Sequence, residues 1–206
     1  MKLLFRGAEA SLFETSFLNE KAILKKREPK NYRVKALDQK IVSLRTKQEC
    51  LLISRAKEVG VRTPLIFYAN KKTGEIIMEF VDGVQFKDLA KKAFEKNCSL
   101  LGKEVGLLHN EGIVHGDLTT SNVLVKKNKL VFVDFGLGFF SKKIEDMAVD
   151  LLVLKKTLKS THSKEPLSTS SSGSFAQSAA ENFCERIIPF GIAPSNKNSS
   201  LHLPQN

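Results

Sequence analysis

The chain has 206 residues, 42% of them hydrophobic and 27% charged, which suits one domain or a compact pair of lobes around a buried core. No run approaches the roughly 20 apolar residues of a membrane helix, and the apolar stretch before Arg6 is too short for a signal peptide. The formal net charge is +11, and the excess lies in residues 1–160, because residues 161–206 hold three basic and three acidic side chains. This balance favours an anionic partner: a nucleotide, tRNA or an acidic protein face.

The cysteines Cys50, Cys98 and Cys184 are odd in number and have no paired spacing. This pattern predicts reduced thiols and a cytoplasmic location. We interpret each cysteine as a small core or surface residue rather than a nucleophile.

The first part of the chain predicts a sheet. Short apolar runs separated by a turn at Asn19-Glu20 predict a hairpin at about 11–27. The stretch 64–83 predicts a second hairpin, which turns at Lys72-Thr73-Gly74.

A long helix is predicted between the two hairpins. Asp38 is the expected N-cap, and Gly60 ends the pattern. The expected apolar face recurs at helical spacing and consists of Ile41, Leu44, Leu51, Leu52, Ala56 and Val59.

After a linker near 80–84, the pattern becomes helical. Residues 85–95 and 98–110 predict two helices, and a third, smaller hairpin turns near Asn128. A last helix follows, with an apolar face formed by Met147, Leu151, Leu154 and Leu158.

Serine and asparagine dominate from about residue 165, and the periodic apolar pattern fades. We expect this tail to be largely disordered, with room for one short helix near 175–188. The predicted domains are therefore a β-rich lobe at 1–82, an α-rich lobe at 83–163 and a tail at 164–206.

Two short stretches carry the chemistry. Residues 115–122 read HGDLTTSN and residues 134–136 read DFG. Phosphoryl transfer from ATP needs hard oxygen ligands for Mg²⁺, positive charge on the phosphates and an oriented acceptor hydroxyl. Asp117 would accept or orient the acceptor's proton, and Asn122 and Asp134 would hold Mg²⁺.

Any one of these side chains alone would be explained as a loop residue that caps a turn. Together they match a spaced pattern, because apolar strands at 123–125 and 130–133 place Asn122 and Asp134 at neighbouring strand ends. ATP and Mg²⁺ are therefore the expected cofactors.

A lysine is needed to hold the α- and β-phosphates, and Lys25 is our choice because it ends an apolar run. Its neighbours Lys21, Lys26 and Lys30 are interpreted as solvated or phosphate-facing surface. Glu49 is the expected helix partner because it is mid-helix and flanked by apolar positions, whereas Glu58 lies near the helix end.

The remaining nucleotide contacts rest on weaker patterns. The loop of Gly7, Ala8, Glu9 and Ala10 has one glycine instead of three, and an ordinary turn explains it nearly as well. Residues 76–83 resemble a strand leading to a hinge. Met78 would then lie behind the adenine, and the Glu79–Phe80 backbone would bond its edge.

The motifs HGDLTTSN, DFGLGF and EDMAVDLLVLKK resemble the small atypical protein kinase of the KEOPS complex, the PRPK-type kinase family. The N-terminal stretches RGAEA, LKKREPKNYR and RTKQE agree, and the resemblance covers about residues 5–162. It implies an α+β, two-lobed minimal kinase fold, with a β-rich N-lobe containing one long helix and a small α-rich C-lobe.

The resemblance also implies function. Such kinases are similar in hydrolysing ATP and phosphorylating serine, and they bind the threonylcarbamoyltransferase subunit and other KEOPS subunits. That complex makes N6-threonylcarbamoyladenosine (t6A) on tRNA. Lys25, Glu49, Asp117, Asn122 and Asp134 occupy the family's functional positions, and tRNA contact through the basic surface is an expectation of the same kind.

Further positions are implied by the resemblance. Lys30, Tyr32 and Arg33 fall on its lysine-rich segment, and Asp150 falls on the helix aspartate that braces the catalytic loop. Gly116 replaces the arginine of ordinary kinases, which reads a phosphate on the activation loop. With only a short stretch from Gly136 to Glu145, phosphorylation switching is not expected.

Two alternatives stay open. One is a pseudokinase scaffold of the same complex, which the single-glycine loop favours and the intact metal ligands oppose. The other is a small-molecule phosphotransferase of the aminoglycoside or choline type, which also uses His-Gly-Asp but normally has a longer chain.

Overall fold

The computed structural model describes residues 1–162, apart from the side chains of residues 161 and 162. The predicted tail, the helix near 175–188 and Cys184 lie outside the described residues. The strands are β1 (Lys2–Arg6), β2 (Ala10–Phe17), β3 (Glu20–Arg27), β4 (Ile66–Asn70), β5 (Glu75–Glu79), β6 (Val84–Gln85), β7 (Ile113–Val114), β8 (Val123–Lys126), β9 (Lys129–Phe132) and β10 (Phe139–Phe140). The helices are α1 (Lys35–Glu58), α2 (Lys91–Asn110) and α3 (Ile144–His162), with a 3₁₀ turn at Phe86–Asp88.

The first five strands form one antiparallel sheet in the order β1-β2-β3-β5-β4. The two predicted hairpins are confirmed as β2–β3 and β4–β5. The first turn consists of Leu18 and Asn19, which have φ of 49° and 67°, so it lies one residue earlier than predicted. Strand β1 was not predicted, because Leu3, Leu4 and Phe5 are all exposed and show no alternation.

Helix α1 begins earlier than predicted, with Val34 instead of Asp38 as its N-cap. The Asp38 amide already donates to the Val34 carbonyl, so Asp38 lies in the first turn. Its carboxylate accepts hydrogen bonds from Arg33 Nη1 and the Lys30 amide, both at 3.3 Å. The apolar face is only partly as predicted, because Leu44 and Leu51 are exposed.

Residues 91–110 form one helix, α2, where two helices at 85–95 and 98–110 were predicted. Asn97 does not break the helix, because its Nδ2 donates to the Ala93 carbonyl at 2.7 Å. The start of the first predicted helix is instead β6 and the 3₁₀ turn, where Phe86 packs edge-on against Phe94 at 5.2 Å.

The third predicted hairpin is confirmed as β8–β9, which pairs with β6 in a three-stranded sheet. Strand β7 pairs with β10 and brings residues 113–114 against 139–140. The main core lies between these strands and helices α1, α2 and α3, with Leu154 and Leu158 of α3 buried in it. Within the described residues, no helix is long and apolar enough to cross a membrane.

Candidate active site

Lys25 lies at the centre of the site. It is on β3, opposite Ile76 of β5, and its side chain is almost fully buried. Its Nζ contacts Glu49 Oε1 at 2.5 Å and Asp134 Oδ1 at 2.6 Å. Burial disfavours the ammonium, but the two carboxylates more than compensate, so the pKa of Lys25 is raised above its ordinary value. The predicted Lys25–Glu49 pair is therefore formed, and Asp134 joins it.

Glu49 also binds a second cation, Arg27, which no sequence pattern had singled out. Arg27 is buried, and its Nη2 donates to Glu49 Oε2 at 2.7 Å and lies 3.5 Å from the Gly136 carbonyl oxygen. Each oxygen of Glu49 therefore serves a different cation. Arg27 is two residues after Lys25 on the same strand, and period-two alternation was the signal that could have found it.

Asp134 begins the DFG turn and connects it to the N-terminal sheet. Its backbone has φ of 61°, a left-handed conformation. The Gly136 amide donates to Asp134 Oδ1 at 3.2 Å. Burial alone would raise the pKa of Asp134, but Lys25 and this amide hold it below its ordinary value. The carboxylate stays ionised, as a metal ligand must.

The predicted catalytic loop, residues 115–122, brings Asp117 and Asn122 together. Asn122 Nδ2 donates to the Asp117 carbonyl at 2.9 Å and to Asp117 Oδ2 at 3.0 Å. The Val133 amide donates to the Asn122 carbonyl at 2.9 Å, which places Asn122 next to the strand end that carries Asp134. Asp117, Asn122 and Asp134 thus lie at the same end of the β8–β9 hairpin, where its strands join the two loops.

Asp150 of α3 fixes the start of this loop. Its Oδ2 accepts the His115 amide at 2.8 Å and its Oδ1 accepts the Gly116 amide at 3.0 Å, while His109 Nε2 lies 3.1 Å from Oδ2. Asp150 is almost fully buried. It occupies the bracing position that the family resemblance implied.

His115 is a structural member of the loop. The ring packs against Phe135 at a tilt of 37°, with the ring centroids 4.6 Å apart. Nε2 lies 3.1 Å from the Val133 carbonyl oxygen, which can only accept. Nε2 therefore carries the proton, and the buried Nδ1 has no hydrogen-bond partner within the described structure. Burial lowers the pKa of His115 despite the nearby carboxylates, so the ring is neutral at neutral pH.

Two close approaches explain why glycine occupies positions 116 and 138. Gly116 has φ of 78°, and a Cβ there would overlap the Leu137 carbonyl oxygen. A Cβ on Gly138 would lie 2.7 Å from Leu52 Cδ1 of α1 and 3.0 Å from the Val114 carbonyl oxygen. Gln48 Nε2 also donates to the Gly138 carbonyl at 2.8 Å. The segment after DFG is thus packed between the catalytic loop and α1.

The expected phosphate loop is a tight turn between β1 and β2. The Gly7 amide donates to the Ala10 carbonyl at 2.9 Å, Ala8 accepts a hydrogen bond from Lys30, and Glu9 pairs with Arg45 of α1. These contacts fasten the loop to the lysine-rich segment and to α1. The Gly7 amide is occupied by the turn.

The expected adenine contacts lie at the end of β5. Met78 is buried and pairs with Ile23 of β3. The Glu79 amide donates to the Leu65 carbonyl at 2.8 Å, and the Phe80 amide lies 3.3 Å from the Lys21 carbonyl oxygen. The ammonium of Lys21 lies over the Phe80 ring at 3.8 Å. Both amides are therefore engaged within the sheet.

The donor set fits Mg²⁺ that is shared with a phosphate ligand. Among the described residues, no group of three or more His, Cys, Asp or Glu side chains forms a ready metal cage. Mg²⁺ usually takes one or two carboxylates, several waters and substrate phosphates, and Asp134 with Asn122 would provide the protein ligands. The half-exposed Asp134 side chain is open to such a ligand.

A lysine–glutamate pair, a His-Gly-Asp loop and a DFG turn between a β-sheet and a helical part define a protein-kinase-like fold. Residues 11–148 match the family described as RIO domain, and the chain belongs to that family. The fold class and the family resemblance deduced from the sequence are confirmed.

Relatives are similar over most of the chain. The KEOPS complex subunit Bud32 of Pyrococcus abyssi is 41% identical over 174 residues, covering 80% of this chain and 79% of that protein. A probable bifunctional tRNA threonylcarbamoyladenosine biosynthesis protein of Methanothermobacter thermautotrophicus is 46% identical over 160 residues. That match covers 78% of this chain but only 30% of the bifunctional protein. The EKC/KEOPS complex subunit bud32 of Dictyostelium discoideum is 39% identical, covering 78% and 68% of the two chains.

Solved structures support the fold alone, because sequence identity with them is low. A Rio2 kinase in an ADP/Mg²⁺-phosphoaspartate complex from Chaetomium thermophilum aligns with a TM-score of 0.64 and 12% identity, covering 91% of this chain and 69% of that chain. WaaP in complex with acyl carrier protein aligns with a TM-score of 0.57 and 15% identity, covering 88% of each chain.

Proposed function

We propose that the protein is an ATP-dependent serine/threonine protein kinase and ATPase of the KEOPS complex, and that it supports t6A formation on tRNA. The observation that carries the proposal is the position of Lys25, whose ammonium lies between the carboxylates of Glu49 and Asp134. Helix α1, strand β3 and the DFG turn meet at this one atom, as phosphoryl transfer requires.

The four charged groups of this cluster are balanced before any ligand is present. Lys25 and Arg27 offset Glu49 and Asp134. Lys25 Nζ donates to Glu49 and to Asp134, which leaves the third N–H of its ammonium for a phosphate. Asp134 and Asn122 would hold Mg²⁺, which would neutralise negative charge on the phosphates.

Asp117 would receive or orient the proton of the attacking hydroxyl. Asn122 donates to Asp117 Oδ2, which fixes the carboxylate and leaves Oδ1 for the acceptor. The acceptor in this proposal is a protein serine or water. Asp150 holds the amides of the two residues preceding Asp117, so it acts as a positioning residue.

The partner assignment rests on the relatives. Proteins named as KEOPS subunits align over at least 68% of their length with this chain. The bifunctional relatives contain a similar region within a much longer protein named for t6A biosynthesis. We therefore infer that this chain works beside a threonylcarbamoyltransferase subunit, in the cytoplasm.

The test is hydrolysis of Mg-ATP by the full chain, with and without that transferase partner. Replacing Asp134 by Asn should lower turnover by about 10³-fold, or about 4 kcal/mol of transition-state stabilisation, because the metal loses its charged protein ligand. The matched control is Asp88→Asn, an exposed aspartate of the 3₁₀ turn. Equal turnover in the two variants would overturn the proposal.

The scaffold alternative is favoured by one observation. Lys25 and Asp134 already contact each other at 2.6 Å, which partly satisfies the metal ligand without a metal. A scaffold would bind the transferase partner and nucleotide, but its turnover would not exceed that of Asp134→Asn. The same assay therefore separates the two functions.

A further inference from the structure

A pocket of about 530 Å³ lies away from the cluster around Lys25, between the loop that follows α1, the end of β5 and the β8–β9 hairpin. This volume is within the range of small-molecule sites. Neither Lys25 nor Asp134 lines it, so it is separate from the predicted phosphate and metal positions, and it shares Glu79 with the expected adenine contacts.

The charged residues that line the pocket are five cations and one anion: Lys57, Arg62, Lys126, Lys127, Lys129 and Glu79. They come from three chain segments that are far apart in sequence. The formal charge of the lining is therefore +4, from five positive charges and one negative charge. A concave surface of one sign concentrates the field and attracts counter-ions.

Within the described residues, Lys127 and Lys129 face no carboxylate, whereas Lys57, Arg62 and Lys126 each interact with one. Among the described residues, only Lys126 forms an ion pair with Glu79, and that contact is long, at 3.9 Å. Lys57 Nζ donates to the Pro64 carbonyl at 3.2 Å, and burial lowers the pKa of Lys57 although Glu79 opposes this. Lys127 and Lys129 are exposed at the hairpin turn.

Arg62 faces a carboxylate from another element. Glu104 of α2 interacts electrostatically with Arg62, and its Oε2 is buried without a hydrogen-bond partner in the described structure. Lys127 and Lys129, which also line the pocket, have no such carboxylate among the described residues.

We propose that this pocket is a second anion site, which binds a ligand with two or more consecutive phosphate groups. Such ligands are an RNA backbone or a short polyphosphate chain. The negative charges of consecutive phosphate groups would neutralise the positive charges of Lys127, Lys129 and Lys57 together. A single small anion would leave most of a 530 Å³ pocket and its cations unsatisfied.

The site is independent of ATP turnover, and its test is designed accordingly. A fluorescein-labelled ten-nucleotide oligouridylate is titrated with the full chain between 50 and 200 mM KCl, with Mg-ADP present to fill the proposed ATP site around Lys25. The variant is Lys127→Gln with Lys129→Gln. The control is Lys71→Gln with Lys72→Gln, a lysine pair in the β4–β5 turn, at the other end of those strands from the pocket.

The slope of log Kd against log salt should fall in magnitude by about 1.4 in the pocket variant, because each phosphate contact on a single strand contributes about 0.7. The control should keep the parent slope. Equal slopes in both variants would overturn the proposal. Asp134→Asn, which should lower turnover by about 10³-fold, is expected to bind the probe like the parent.

A second arm replaces the RNA by inorganic tripolyphosphate under the same conditions. Loss of tripolyphosphate binding in the pocket variant alone assigns the site to a soluble polyphosphate ligand. Loss of oligouridylate binding alone assigns it to an RNA strand. If the pocket variant and the control bind both probes equally, there is no phosphate site at this pocket.

Discussion

Two regions hold basic side chains: the cluster of Lys25, Arg27, Glu49 and Asp134 (the front cluster) and the 530 Å³ pocket (the rear pocket). The cations are buried and paired in the front cluster and mostly exposed in the rear pocket. At the front, Lys25 and Arg27 are buried and paired with Glu49 and Asp134. At the rear, Lys127 and Lys129 are exposed and have no carboxylate partner among the described residues. Loss of one front partner would leave an uncompensated buried charge and destabilise the fold, whereas the rear charges contribute little to folding and remain available to a ligand.

The largest expected effect comes from breaking the front cluster. Glu49→Gln should lower the free energy of unfolding by about 3–5 kcal/mol, because it leaves Lys25 and Arg27 buried with one carboxylate between them. Urea unfolding followed by circular dichroism measures the change.

The rear pair gives the matched comparison for that variant. Lys127→Gln with Lys129→Gln should change stability by no more than about 0.5 kcal/mol, as surface substitutions usually do. If both changes cost the same, the contrast between the two regions is wrong.

The next effect concerns the backbone that supports the front cluster. Gly116→Ala should cost about 2 kcal/mol, because φ is positive there and the new Cβ would overlap the Leu137 carbonyl oxygen. Gly106→Ala is the control: this glycine is in α2, and a methyl group added there would meet nothing within 4 Å, so alanine should stabilise by about 0.5–1 kcal/mol. The midpoint temperature of thermal unfolding should therefore fall in Gly116→Ala and rise in Gly106→Ala.

The last effect is a pH dependence of stability that we assign to Glu104, the neighbour of the pocket residue Arg62. Burial raises the pKa of Glu104 to about 7, against the opposing charges of Arg62 and Lys103. Because the folded pKa exceeds the unfolded value of 4.5, stability should fall as pH rises from about 4.5 to 7 and then level off. Glu104→Gln should remove this fall, which we expect to be on the order of 1 kcal/mol after solvent screening. A parallel pH profile in the parent and the variant would contradict the assignment.

Local patterns were sufficient to predict much of the front of the molecule. Lys25 was identified because it ends an apolar strand, and Glu49 because it lies in the middle of a helix with apolar neighbours. Their contact at 2.5 Å follows from those two local facts and the order of the elements. The loops with Asp117, Asn122 and Asp134 were found in the same way, because spacing along the chain fixes their distance across a hairpin.

Other features depend on contacts that local pattern does not encode. Asp38 looked like an N-cap, but its carboxylate accepts from Arg33 and the Lys30 amide, and the helix begins at Lys35. The chain appeared to break between two helices near Asn97, whose side chain instead bonds back to the helix. The rear pocket could not be predicted from local sequence patterns, because its lining combines segments more than 60 residues apart, from Lys57 to Lys129.

The left-handed backbone of Asp134, with φ of 61°, restricts this position twice. The chemistry demands a carboxylate, and the conformation prefers a short side chain that tolerates positive φ, as Asp and Asn do. Glutamate would keep the charge but strain the chain, while asparagine would keep the shape and lose the charge. Of the common side chains, aspartate alone satisfies both demands, so shape and charge at this residue are separable only by comparing those two substitutions.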